Sequence, residues 1–207
     1  MIDHLIFDFD GTISDSYPVF NRIIAQIAQT NEIEITADEA EIDRLLKIRT
    51  GLPYTTLGWD VYLTREEYSE QFLYWQNQFV SEFRPFEEAL VLLKFAKQKG
   101  KKLYIYTHSG DVVKKIIQHF EIASLFEHIL TADNNFPRKP APDALLHLEK
   151  EFSLDPKRCM MIGDRPIDAQ AGMNAGMKGC LWDAENKYPN EKVDYRVSSL
   201  LEICDLI

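Results

Sequence analysis

Short, nearly continuous apolar runs recur along the chain and alternate with amphipathic stretches. The runs are His4–Phe9, Lys102–Thr107, His128–Thr131, Arg158–Ile162 and Lys178–Trp182. Strands of a parallel sheet read this way, because helices cover both faces and leave no solvent side. Between them, Phe86–Lys99 places apolar residues at Phe86, Ala89, Leu90, Leu93 and Ala96, a helical spacing closed by Gly100. Asp111–Phe120, Pro142–Phe152 and Pro166–Ala175 predict further helices, the last closed by Gly176. This alternation predicts an α/β fold around a parallel sheet.

Residues 17–83 break the pattern. They hold three helix-like segments and no convincing strand. Val19–Gln29 is the first. The second opens at Thr36, with Glu39 three residues on as a capping box, and runs to Ile48. The third, Arg65–Phe83, carries Tyr68, Phe72, Tyr74, Trp75, Phe79 and Phe83, an aromatic stripe whose helical spacing reads as core rather than a cofactor surface. The expected organisation is a core of residues 1–16 and 84–207 with a helical insertion, residues 17–83, after the first strand.

Composition changes this picture little. The 207 residues are 45% hydrophobic and 27% charged, ordinary for a globular chain. With 33 acidic and 23 basic residues the net charge is −10, which argues against a partner that is nucleic acid or an anionic membrane. It leaves room for a phosphorylated ligand in a local pocket of opposite sign. The N-terminus has no basic region, and its apolar run stops at Asp8, so no secretory signal and no membrane span is expected. Cys159, Cys180 and Cys204 are widely spaced and odd in number, as buried thiols of a reducing, cytoplasmic setting would be.

The chemistry concentrates at strand ends, where α/β folds bind ligands. Phe7-Asp8-Phe9-Asp10-Gly11-Thr12 runs from an apolar strand into two carboxylates, a glycine turn and a hydroxyl. Unit charges about 4 Å apart repel by roughly 4 kcal/mol at an effective dielectric of 20. A divalent cation or a proton on one member relieves this, which points to Mg²⁺, a nucleophile and a general acid/base. Taken alone, the segment also reads as an Asp-Gly turn with a helix-capping acid. Three later segments add weight: Thr107-His108-Ser109-Gly110 before a helix, Arg138-Lys139-Pro140, and Gly163-Asp164-Arg165-Pro166-Ile167-Asp168 ending a strand.

These four segments, in this order, resemble the motifs of the haloacid dehalogenase superfamily, whose members are mostly Mg²⁺-dependent phosphohydrolases. The resemblance implies a Rossmann-like three-layer core, and the position of the insertion resembles the subfamily with a small α-helical cap, which includes phosphoglycolate phosphatases and β-phosphoglucomutases. It implies that Asp8 attacks phosphorus, that Asp10 is the general acid/base, and that Thr107 and Lys139 hold the phosphoryl oxygens. Gly11, Thr12 and the His108 backbone N–H would also face the phosphate. Mg²⁺ would be bound by Asp8, Asp10 through its carbonyl, Asp164 and Asp168. In similar enzymes a cap loop helps choose the substrate; here that is Arg49-Thr50-Gly51-Leu52-Pro53, with Arg49 a candidate for an anionic group. The implied activity is hydrolysis of a small phosphorylated metabolite. A phosphomutase and a non-enzymatic binding protein on the same fold are the alternatives. Acidic Asp10 argues against the dehalogenase branch, Phe9 against P-type ATPases, and a cap with only Lys47 against phosphonatases.

Overall fold

The computed structural model describes residues 1–48 and 52–207, leaving aside the side chains of Glu39 and Leu52. It divides into two compact units, Met1–Ser14 with Pro85–Ile207, and Asp15–Arg84. The division falls at 14/15 and 84/85, against the expected 16/17 and 83/84.

The larger unit is a parallel sheet in the order β3-β2-β1-β4-β5-β6. Its strands are β1 (His4–Phe7), β2 (Lys102–Tyr106), β3 (Phe126–Leu130), β4 (Cys159–Gly163), β5 (Lys178–Trp182) and β6 (Tyr195–Val197). The connecting helices are α5 (Glu87–Gln98), α6 (Val112–His119), α7 (Asp143–Phe152) and α8 (Pro166–Asn174). Ile6, Tyr104 and Met161 pack with Ala144, Leu145 and Leu148 of α7 and Ala171 of α8 on one face. Leu5, Phe7, Leu103 and Ile105, of the opposite parity, are buried as well, so both faces are covered. β1 pairs with β2 on one side and β4 on the other. The chain therefore winds away in opposite directions from β1, and a crevice opens at the carboxyl ends of these three strands.

β1 stops two residues short of its expected end. Asp8 still donates its N–H to the Ile162 carbonyl (2.8 Å), but the Phe9 carbonyl then accepts from the N–H groups of Thr12, Ile13 and Ser14. This tight turn pulls the chain off the sheet, and Gly11 completes it at φ 80°, a conformation glycine adopts without strain. Asp8 and Asp10 are thus not neighbours on a regular strand face, as alternation alone would have placed them.

The excursion that follows is anchored at both ends. In the larger unit Ser14 bridges Pro85 antiparallel, and Phe86 donates to the Ile13 carbonyl at 2.9 Å. In the smaller unit the Asp15 N–H donates to the Arg84 carbonyl at 2.9 Å.

The smaller unit contains α1 (Tyr17–Thr30), α2 (Glu39–Ile48), the short α3 (Leu52–Thr56) and α4 (Arg65–Gln78). α2 starts later than expected: Asp38, not Thr36, accepts the first-turn N–H of Glu41 at 2.8 Å. A capping box lies at α4, where Thr64 and Glu67 satisfy each other's backbone N–H groups; the one expected from Thr36 and Glu39 rests on a side chain outside the described residues. α3 occupies Leu52 and Pro53, expected in a loop; Arg49, Thr50 and Gly51 lie outside the described residues. α4 ends at Gln78 rather than Phe83, giving way to a single 3-10 turn, Val80–Glu82. Of the aromatic stripe Tyr68, Phe79 and Phe83 are buried and Phe72 and Trp75 half-buried, while Tyr74 is exposed. Phe72 meets Phe20 at 5.4 Å between ring centres, and Tyr68 meets Tyr54 at 5.3 Å. Among the described residues no helix is long and apolar enough to cross a membrane. Cys159, Cys180 and Cys204 are free, and burial pushes the Cys159 and Cys180 thiols up to about 12.

Candidate active site

Three strand ends and two loops of the larger unit deliver the site. β1 delivers Asp8, and β4 ends in Gly163 with Asp164 directly after it. The first turn of α8 delivers Asp168, whose Oδ2 accepts the Arg165 N–H at 3.1 Å. α8 folds back tightly over β4: a Cβ on Gly163 would stand 2.4 Å from the Asp168 Cβ, so only glycine fits there. Oxygens of Asp8, Asp164 and Asp168 lie within 4.8 Å of one another.

Lys139 enters this group from the loop before α7. Its ammonium donates to Asp8 Oδ1 and Asp168 Oδ1, both at 2.7 Å, and to the Tyr106 carbonyl at 3.0 Å. The side chains of Lys139 and Asp168 are wholly buried and that of Asp8 is 1% exposed. Ions this deep persist only when paired and hydrogen-bonded. Burial raises Asp8, but the Lys139 and Arg165 charges outweigh it and hold the carboxyl below its ordinary range. Asp168 is raised by burial and by the Asp8 charge, despite Lys139. Burial is also the largest influence on Asp164, pushed up to about 7, with Asp168 and Asp8 adding to it and Arg165 opposing. Lys139 resists its own burial because Asp168 and Asp8 hold its proton.

Asp164 and Asp168 resist ionising beside charged Asp8, a crowding that a hard divalent cation relieves, and the donor set is all oxygen. The three acids therefore fit a hard divalent cation. Asp10 lies outside this carboxylate group; its Oδ2 accepts the Ser109 hydroxyl at 2.6 Å.

Thr12, expected at the phosphate, has Asp164 as its neighbour. Its hydroxyl accepts the Asp164 N–H at 3.1 Å and meets Asp164 Oδ1 at 3.3 Å, fixing the acid that follows β4. Thr107 is buried, and its oxygen accepts the Ser109 N–H at 3.0 Å, which leaves the hydroxyl proton to donate. The His108 ring accepts at Nε2 the Lys139 backbone N–H, 2.8 Å away. Arg138 is exposed and lines a cavity of about 220 Å³ with Tyr106, Thr107, His108, Thr131 and Phe136.

Two participants escape a reading of the sequence. Ser109 holds Asp10, and Arg165 places its guanidinium 3.5 Å from Asp8 Oδ2. A cation between the two acids of Asp164–Asp168 was the available signal for Arg165. For Ser109 the signal was a second hydroxyl two residues after Thr107.

Comparison with known proteins agrees with this geometry. The model of a family described as haloacid dehalogenase-like hydrolase matches residues 5–181. A phosphoglycolate phosphatase of Aquifex aeolicus is 29% identical over 183 residues, covering 86% of this chain and 83% of the relative. The N-acylneuraminate-9-phosphatase of Rattus norvegicus is 22% identical over 231 residues, covering 98% and 92%. Among solved structures, a HAD-superfamily hydrolase of subfamily IA from Geobacter sulfurreducens matches with a TM-score of 0.81 and 22% identity over 100% of both chains, a likeness of fold.

Proposed function

The chain belongs to the haloacid dehalogenase-like hydrolases, and from that premise we propose that it is a Mg²⁺-dependent phosphatase that hydrolyses a small phosphorylated metabolite through an aspartyl phosphate on Asp8. The observation that carries this reading is the buried Lys139 ammonium, 2.7 Å from both Asp8 and Asp168, beside a third carboxylate. Asp8 is kept ionised by that contact, as a nucleophile must be.

In the first half-reaction an Asp8 oxygen bonds to phosphorus as the bond to the leaving oxygen breaks. Asp10, oriented by Ser109, gives its proton to that oxygen. In the second, Asp10 takes a proton from water, whose oxygen attacks phosphorus and frees Asp8 with release of inorganic phosphate. Thr107 and Lys139 bind the phosphoryl oxygens and offset their charge. Asp8, Asp164 and Asp168, with the Asp10 carbonyl, would hold Mg²⁺. Bound there, the metal supplies positive charge that draws the phosphoryl group to Asp8 and reduces repulsion between the two anions.

A mutase would need cationic groups in the helical unit to hold a second phosphate. Three of its cations are already committed within that unit: Arg22 to Glu82, Arg44 to Glu41 and Lys47 to Asp43. This favours hydrolysis. The relatives named above act, by their names, on phosphoglycolate and on an N-acylneuraminate 9-phosphate, and both support a small phosphorylated metabolite.

The test is turnover of an aryl phosphate with Mg²⁺. Chelation is expected to abolish it, and Asp8→Asn to lower kcat by at least about 10⁴-fold. A persistent rate in Asp8→Asn, with Mg²⁺ present, rules out the nucleophile assignment.

A further inference from the structure

The end of β2 grips the loop that carries Lys139 at several points. The Tyr106 hydroxyl donates to the Pro137 carbonyl at 3.3 Å, and the Tyr106 carbonyl accepts from the Lys139 ammonium at 3.0 Å. That ammonium also stands 4.8 Å from the centre of the Tyr106 ring. The fourth contact differs in kind. It is made by the imidazole of His108 and holds the backbone of Lys139 itself, 2.8 Å from N–H to Nε2. An accepting Nε2 places the ring proton on Nδ1, so the ring is neutral. Edge-on packing against Tyr106, with ring centres 6.1 Å apart, sets its plane. Burial, then the Lys139 and Arg138 charges, push its pKa down to about 3, so the acceptor persists across ordinary pH.

A lysine carries its charge on a flexible four-carbon stem, and the place of the ammonium depends on where the stem begins. We propose that the His108 imidazole is a positioning residue: by accepting the Lys139 backbone N–H it fixes the root of the side chain whose ammonium spans Asp8 and Asp168. The role belongs to the side chain and is separate from any use of the His108 N–H by phosphate. Its effect on rate rests on the phosphatase reading; its effect on the loop does not.

Three substitutions isolate the acceptor. Glutamine presents a carboxamide oxygen about as far along the side chain as Nε2. Methionine fills similar space without a strong acceptor, and asparagine has an acceptor that falls short. His108→Met and His108→Asn are expected to lower kcat about tenfold while KM changes less than about twofold, since misplacement near 1 Å at a catalytic group costs up to about 10²-fold. They are also expected to speed hydrogen exchange of the Lys139 amide by at least about tenfold, as an unlatched amide opens locally. His108→Gln is expected to restore kcat to within about threefold of the wild type and to restore slow exchange. Equal kcat and equal exchange in Gln, Met and Asn variants would overturn the latch and leave a packing role. If His108→Met fails to fold, the contrast between Gln and Asn decides in the same way. A wild-type protein that turns over no phosphate, yet shows the same exchange contrast, overturns the phosphatase reading and keeps the latch.

Discussion

The buried charge group of the larger unit and the ion pairs of the helical unit are placed on opposite terms. In the larger unit Lys139, Asp8 and Asp168 meet with side chains at most 1% exposed. In the helical unit the Arg44–Glu41 pair leaves 59% and 40% of its side chains in water, and Arg22–Glu82 leaves 56% and 33%. Exposed pairs contribute little, because water already solvates both partners. A buried group is costly to assemble and more costly to break, because removing one ion strands the others. The difference teaches that burial, more than the number of ion pairs, marks where this fold holds charge at a cost.

Lys139→Met should break the contrast most severely. It leaves two buried carboxylates with Arg165 as their remaining nearby cation, and stability is expected to fall by about 3 kcal/mol in urea unfolding. Adding Asp168→Asn should recover part of the loss. A Lys139→Met protein with wild-type unfolding would show that the buried group is not electrostatically strained.

A smaller effect should come from acid. His108 has a folded pKa of about 3 against an ordinary 6.5. Between those values the unfolded chain binds a proton that the native ring refuses, so native stability falls as pH falls through this window. With the ring partly solvated, the contribution lost by pH 4 is about 2–3 kcal/mol. Urea unfolding from pH 7 to pH 4 should therefore show a steeper decline in the wild type than in His108→Gln. Parallel declines would mean that the ring protonates freely in the native state.

The smallest effect is expected from Arg44→Ala in the helical unit. That pair is exposed and local, three residues apart, and its loss should leave the urea midpoint unmoved. A clear shift would erase the distinction between the units.

The same contrast governs what could be read beforehand. Asp8 and Asp164 were legible because each directly follows an apolar strand, whereas Lys139, in a loop before a helix, and Asp168, in the first turn of one, were singled out only by the order of motifs in the resemblance. Parallel strands were legible as apolar runs, though not their ends, which hydrogen bonds of the following turns decide. β6 was missed: Tyr195–Val197 is three residues long with Arg196 at its centre, and only its pairing with β5 makes it a strand. In the helical unit Thr36 and Glu39 had the spacing of a capping box, as did Thr64 and Glu67. The second pair forms the box, and local pattern did not single it out. Ser109 and Arg165 act across the sheet, on Asp10 and Asp8, through proximity that only the strand order creates.

The pairing of Ser14 with Pro85, and of Asp15 with Arg84, has a consequence for exchange of parts. The chain leaves the sheet and rejoins it through neighbouring backbones, so residues 15–84 form a closed detour. The two flanking segments are held together at their stem, and the closure entropy of the detour grows only slowly with its length. A helical segment of different size, with its own ends side by side, can be grafted at this stem without moving β1 or the turn at Gly11. The helical unit can then change in size while Asp8, Asp164, Asp168 and Lys139 of the larger unit stay where they are.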